Sequence, residues 1–329
     1  MPGNYIYASA KIRTLEPAIL DKTDIERMVD ASDFLTAFKV LNDTDYADNL
    51  LEVEPENYRL ALDRDFSQLY DLLKSIIPDS NLFKLIFLEH DLINLKLLFK
   101  AKYFSQEVDN LLRENTVYLP SRLKEFIFNQ KDAGLDDEIK NLINEAKKEI
   151  GEDNRPDFID SILTKKYFAL KLSLAEKIKN KFIFNLIKTE INNANLIIWL
   201  RAKRLNLNKE KLTERLIESG NIYLSKLIKL YSEDLKSLRP LFGIYYDQKV
   251  VDSFDAFCEK NHLFELEKAL QDFKIRFCQK VKMIASGPEV ILAYYLAKET
   301  ALTNIRLVLT GKFNKIPTEE IKNTLRQVY

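Results

Sequence analysis

Three asparagines set in one recurring frame are the first candidates for chemistry in this chain. The frame Glu-x4-Asn-x6-(Ala/Gly)-Lys occurs without a gap at Glu89–Asn94–Lys102, Glu190–Asn195–Lys203 and Glu299–Asn304–Lys312. A carboxylate, an amide and an ammonium at fixed helical spacing, used three times, could form a ligand contact repeated about an axis. The surroundings argue otherwise. Asn94 is embedded among Leu92, Leu95 and Leu98, and a buried amide must find hydrogen-bond partners, most simply in a neighbouring backbone. Lys102, Lys203 and Lys312 fall at the last turn of their segments, where a cation complements the helix dipole. The frame is therefore read as a structural repeat motif.

Other polar clusters offer less. Glu89-His90-Asp91 places an acid, a base and possible metal ligands in a row. Consecutive helical residues diverge by about 100°, so they cannot converge on one ion. The second histidine, His262, has no companion at ligand spacing. Thr310-Gly311-Lys312 resembles the tail of a phosphate loop, but the upstream glycine and strand are missing. Gly311 instead occupies the slot that Ala101 and Ala202 fill in the other copies. No Gly-x-Ser-x-Gly elbow is present either. The sequence nominates no catalytic residue, no cofactor-binding residue and no metal ligand, and calls for no cofactor.

The elements that carry the frame are helices. Seven glycines and nine prolines in 329 residues are too few for a chain built on hairpins and tight turns. The expectation is an all-α protein. The asparagines stand 101 and 109 residues apart, the length of a small domain and well beyond an ordinary solenoid unit. Three similar helical domains in a pseudo-threefold arrangement follow, at residues 1–105, 106–207 (a divergent copy) and 208–329. Pro78 and Pro288 each precede their asparagine by 16 residues, as first-turn prolines do. Leu212–Asn221 also overlays Ile25–Phe34 by residue type.

The middle copy has Lys179 in the proline slot, and its helical periodicity runs back towards Pro156. Residues 131–156 read as an exposed helix and linker. Residues 252–286 read as one long amphipathic helix with a stripe of Leu263, Leu266, Leu270, Phe273, Phe277, Val281 and Ile284. On such a helix Cys258 and Cys278 would lie about 30 Å apart, too far to bridge. Reduced thiols are expected.

Fifty basic and fifty acidic residues cancel, without the cationic excess of a nucleic-acid binder. Apolar runs reach only about five residues, against roughly 20 for a membrane span. The opening Met-Pro-Gly-Asn-Tyr-Ile-Tyr has neither the basic nor the apolar region of a secretory signal.

Taken together, Tyr5-x-Tyr7-Ala8, Glu26-Arg27, Leu41-Asn-Asp-Thr-Asp-Tyr46 and Glu89-His-Asp-Leu-Ile-Asn94-Leu-Lys resemble the C subunit of the A-type/V-type rotary ATPases, called the d subunit in eukaryotes. The resemblance spans the chain and is weakest in the middle copy, where Ile197 stands in the Lys/Arg slot. It implies a non-catalytic, funnel-shaped central-stalk component on the cytoplasmic face of the membrane, peripheral and without a span. Its implied partners are the D- and F-type shaft subunits and the membrane proteolipid ring, coupling ATP chemistry to proton or sodium transport. Residues alone leave an alternative, a generic all-helical scaffold for other soluble proteins.

Overall fold

A computed structural model describes residues 4–151 and 155–329. Met1–Gly3 of the opening stretch and residues 152–154, within the linker expected before Pro156, lie outside the described residues. Among the described residues all regular structure is helical. The helices are α1 (Ile6–Leu15), α2 (Lys22–Asp30), α3 (Phe34–Val40), α4 (Ala47–Leu50), α5 (Tyr58–Ile76), α6 (Ser80–Phe104), α7 (Pro120–Asn129), α8 (Asp137–Ile150) and α9 (Pro156–Ile178). They continue as α10 (Lys181–Arg204), α11 (Lys209–Arg215), α12 (Leu224–Leu230), α13 (Arg239–Tyr245), α14 (Gln248–Lys260), α15 (Leu263–Gln279), α16 (Pro288–Phe313) and α17 (Thr318–Thr324).

Side-chain caps start many of these helices. Asp33, Asp79, Asp136, Asn180, Asn208 and Asp247 each accept a first-turn backbone N–H, satisfying donors that the helix cannot. Asp21 and Asp24 form a reciprocal capping box at α2. Proline opens α7, α9 and α16, where its missing N–H costs nothing.

Two compact units result: the described residues up to Pro78 together with Arg239–Tyr329, and Asp79–Leu238. The division falls at 78/79 and 238/239, whereas the sequence repeat places boundaries at 105/106 and 207/208. In the first unit, residues from opposite ends of the chain share one core. Ile25, Met28 and Phe38 cluster with Leu302, Ile305, Val308 and Leu309 of α16 and Ile321 of α17. Arg13 on α1 donates to Val281 O at 2.8 Å and Ile284 O at 2.6 Å, fixing the connection that leads into α16. In the second unit α6 packs along α9, with α7 and α8 alongside, while α10 and α11 also pack on α9. The helices carrying the frame, α6, α10 and α16, each bury residues around much of their circumference. They form the centres on which shorter segments are laid.

Several expectations change here. The stretch 252–286 is not one helix: Asn261, at φ 58°, ends α14, and α15 folds onto it. On α15 the stripe holds only in its first half: Leu263, Leu266 and Leu270 are buried, but further on the buried face is Asp272, Ile275 and Cys278 while Phe273 and Phe277 are half-buried, and Val281 belongs to a following single-turn segment. Cys258 and Cys278 therefore sit on different helices, so the straight-helix separation does not apply; neither is in a disulfide. The helix expected to be exposed within 131–156 is α8, and it buries Ile139, Leu142, Ile143, Ala146 and Ile150 against its neighbours. Its charged face had masked this stripe. Residues 212–221 and 25–34 share residue types but not backbone: Ile25–Asp30 is helical, whereas the chain leaves the helix at Leu216. In the middle copy α9 does start at Pro156. It ends at Lys179, whose left-handed φ of 57° and the Asn180 cap do the work of the absent proline.

Candidate functional site

Each frame asparagine makes the same pair of bonds. Asn94 Nδ2 donates to Arg113 O at 2.9 Å, and Arg113 N donates back to Asn94 Oδ1 at 2.8 Å. Asn195 does this with Ile217 at 2.7 and 2.8 Å, and Asn304 with Arg326 at 3.1 and 2.8 Å. The primary amide thus pairs with one residue's N–H and C=O, as a neighbouring backbone would. All three asparagines are buried, 0 to 1% exposed, so their polar atoms depend on these bonds. What they grip is the non-helical segment returning towards the helix.

The other frame positions also recur. Eleven residues after each asparagine, Ser105, Asn206 and Lys315 adopt left-handed φ values of 52°, 50° and 56°. The next N–H then reaches back to the small residue of the frame: Gln106 to Ala101 O, Leu207 to Ala202 O and Ile316 to Gly311 O, at 3.3, 3.0 and 2.9 Å. This is the longer bond of a Schellman turn. Lys102, Lys203 and Lys312 do more than face the dipole. Their Nζ atoms donate to Ile127 O, Tyr231 O and Ala31 O at 2.7, 2.6 and 2.6 Å. In the third copy the accepting carbonyl ends α2, so a helix near the start of the chain completes a frame near its end.

The glutamates diverge. Glu89 is exposed, whereas Glu190 accepts from Lys171 of α9 at 2.6 Å in a pair 14% and 8% exposed. Glu299 is half-buried.

A second grip escaped the sequence reading. Three residues before the asparagine, Asp91 accepts from Val117 N and Tyr118 N, both at 3.0 Å. Asn192 in the second copy accepts from Ile222 N at 3.0 Å. Tyr118 and Ile222 each lie five residues beyond the backbone that the main asparagine holds. The third copy has Ala301 here and no such side chain. The only sequence signal was Asp91 and Asn192 sharing a register, which the alanine obscured. Gly220 makes room for the second of these, since a Cβ there would stand 2.6 Å from Asn192 Oδ1.

Burial pushes the Asp91 carboxyl up to about 7, against the downward pull of its two backbone donors. Beside it, burial and the nearby Arg113 cation hold His90 down at about 4. Arg113 Nη1 lies 3.1 Å from His90 Nδ1. That contact suits a neutral imidazole accepting a bond from the guanidinium, and it leaves His90 an anchor of the returning segment. Among the described residues no group of His, Cys, Asp and Glu could hold a metal ion.

The geometry is that of a framework: the repeated polar side chains hold backbone. The family model described as "ATP synthase (C/AC39) subunit" matches residues 8–324. The chain belongs to that family. Among curated proteins, the C subunit of the V-type sodium ATPase of Enterococcus hirae is 24% identical over 319 residues, covering 97% of both chains. The C subunit of the A-type ATP synthase of Methanocaldococcus jannaschii is 25% identical, covering 98% of this chain and 86% of its own. The corresponding protein of a Desulfurococcus species is 25% identical over 98% and 91%. Matches of this extent run through all three frames.

This member of the C/AC39 family also carries a buried polar network with no motif to announce it. Lys298 of α16 pairs with Asp65 of α5 at 3.0 Å, and its Nζ lies 4.4 Å from the centre of the Tyr46 ring. Asn49 joins Asp65 to Gln68. Burial, with Asp65 close by, drives the Tyr46 hydroxyl well above its ordinary pKa. No helix among the described residues is long and apolar enough to cross a membrane.

Proposed function

We propose that this chain is a non-catalytic central-stalk subunit of a V/A-type rotary ATPase, coupling the rotor shaft to the membrane proteolipid ring. The observation that carries the reading is the match to the family over residues 8–324, on a chain whose repeated polar residues are occupied in holding backbone. Glu190, Asn94, Asn195, Asn304 and the three frame lysines are committed to structure, which leaves none of them aimed at a substrate. Three helical modules, one around each clamp and arranged about a pseudo-threefold axis, would give a collar able to seat a narrow shaft on a wide ring. In this proposal the third module is completed by the N-terminal helices through Lys312 and Ala31. The partners are the D- and F-type shaft subunits and the proteolipid ring, and the chain lies peripherally on the cytoplasmic face.

Mixing tests the reading. Purified chain is combined with the shaft subunits and, separately, with detergent-solubilised ring, and complexes are resolved by size-exclusion chromatography. Co-elution with both is expected. Failure to bind either overturns the proposal and favours a scaffold for other proteins.

A further inference from the structure

The second unit contains two straps held in the same way by side chains that differ in one respect. Residues 113–118 are gripped by Asn94 and Asp91 of α6, and residues 217–222 by Asn195 and Asn192 of α10. Asn192 is an amide and carries no charge at any pH. Asp91 is a carboxylate, 0% exposed, that meets Val117 N and Tyr118 N, each at 3.0 Å. The charge acting on it is that of Asp136, another anion. Two backbone N–H groups, rather than a cation, therefore face the buried carboxylate. Such burial disfavours the ionised form, and opening the strap would return Asp91 to water.

The surroundings give the ionised form no relief. On α6, His90 is occupied with Arg113 of the strap at 3.1 Å, and Glu89 is exposed. At the start of α8, Asp136 and Glu138 are both paired with Lys84, and Glu138 also with Lys177 of α9. Lys171 of α9 is paired with Glu190, and α7 buries Leu123, Phe126 and Ile127, none of which titrates. The strap is also connected onwards. The Tyr118 hydroxyl donates to Asp136 at 2.8 Å, and Asp136 caps α8 by accepting from Ile139 N at 3.1 Å.

We propose that residues 113–118 form a proton-sensitive latch, closed while Asp91 is neutral and released from α6 as pH rises and the carboxylate ionises. The strap held by Asn192 has no such response, so one module answers to proton concentration and its neighbour in the same unit does not. Through Tyr118 and Asp136, opening of the latch reaches the start of α8. The latch does not depend on the coupling role proposed above.

The test is hydrogen exchange of the full chain, read by mass spectrometry of peptides covering each strap and corrected for intrinsic exchange rates. It gives the opening equilibrium of each strap in the parent and in Asp91→Asn. Between an ordinary 3.8 and about 7, the closed parent holds a proton that the open strap has lost. The ratio of parent to variant opening at 113–118 should therefore rise about tenfold per pH unit between about pH 5 and about 6.5. At 217–222 that ratio should not change with pH. A constant ratio at 113–118, or an equal change at both straps, overturns the proposal. Taking the ratio cancels His90, which titrates in both proteins. His90→Gln supplies a second arm without that opposing titration. In it, opening at 113–118 should itself rise with pH while 217–222 stays level, and a level response at 113–118 likewise overturns the latch.

Discussion

Gly311 and Ile321 are packed so tightly that alanine, the residue at the same frame position in the other two copies, does not fit in the third. A Cβ on Gly311 would lie 2.6 Å from Ile321 Cγ1 and 2.7 Å from Cδ1. Alanine would gain about 1 kcal/mol in helix propensity. Overpacking a filled core costs roughly 1–3 kcal/mol, and here the obstacle belongs to a residue only 2% exposed. Gly311→Ala is therefore expected to lose up to about 2 kcal/mol in urea denaturation, the overpacking cost less the propensity gain. Adding Ile321→Val should recover part of that loss, and strict additivity of the two changes would contradict the contact.

The clamps invite a direct comparison. Asn195→Ala removes one donor and one acceptor, leaving Ile217 N–H and C=O without them in a site that is 0% exposed. Each buried orphan costs about 1–3 kcal/mol, so a loss of about 2–6 kcal/mol is expected for the two. Asn195→Asp keeps the acceptor for Ile217 N but turns a carboxylate oxygen on Ile217 O, and should be no better. Hydrogen exchange at Ile217 should quicken in both variants before the rest of α10 is affected.

How much of this was legible follows from the range of each interaction. The asparagine, the small residue and the lysine recur at fixed spacing because their partners recur. Asn94, Asn195 and Asn304 meet backbone 19 or 22 residues on, whatever side chain that backbone carries. A side chain bonded to backbone leaves no second sequence signal, so the partners Arg113, Ile217 and Arg326 were invisible. Chain reversals were the other blind spot. Asn261 and Lys179 end helices in left-handed conformations without glycine or proline to mark them, so α14 and α15 read as one continuous stripe. Packing between distant segments, such as Lys298 with Asp65 or Lys312 with Ala31, has no local period at all.

Glu89 and Glu190 hold the same position in the frame and should behave differently. Glu190→Ala takes the carboxylate partner from Lys171, a cation only 8% exposed. Breaking a buried pair by removing one member costs about 3–5 kcal/mol. Its exposure of 14% on the carboxylate side places Glu190→Ala near the lower end, at about 3 kcal/mol. Glu89 is exposed, and Glu89→Ala should fall within about 0.5 kcal/mol of the parent. Thermal melts of the two single variants decide the point; equal shifts would show that the frame glutamate has one common role.

His90 and Asp91 should oppose each other in the pH dependence of stability. His90 falls to about 4 in the fold from an ordinary 6.5. The unfolded chain therefore binds the extra proton between those values, and the stability His90 contributes is complete above 6.5 and lost as pH falls towards 4. By linkage this amounts to ~3 kcal/mol. Asp91 rises to about 7 from 3.8. There the folded chain binds the extra proton, so its effect is to lower stability as pH climbs through that window. The surrounding charges are Arg113 and Glu89 for His90, and Asp136 for Asp91, with Asp136 itself paired to Lys84 at 2.6 Å. Asp91→Asn removes the opposing titration and keeps an acceptor for the Tyr118 N–H, as Asn192 does for Ile222. Its stability relative to the parent should improve steadily from about pH 4.5 to about 7.5. His90→Gln should do the reverse, comparing best with the parent at about pH 4.5 and worst near 7. Urea midpoints at four pH values for the three proteins test both slopes at once, and parallel curves would mean that neither group titrates in this range.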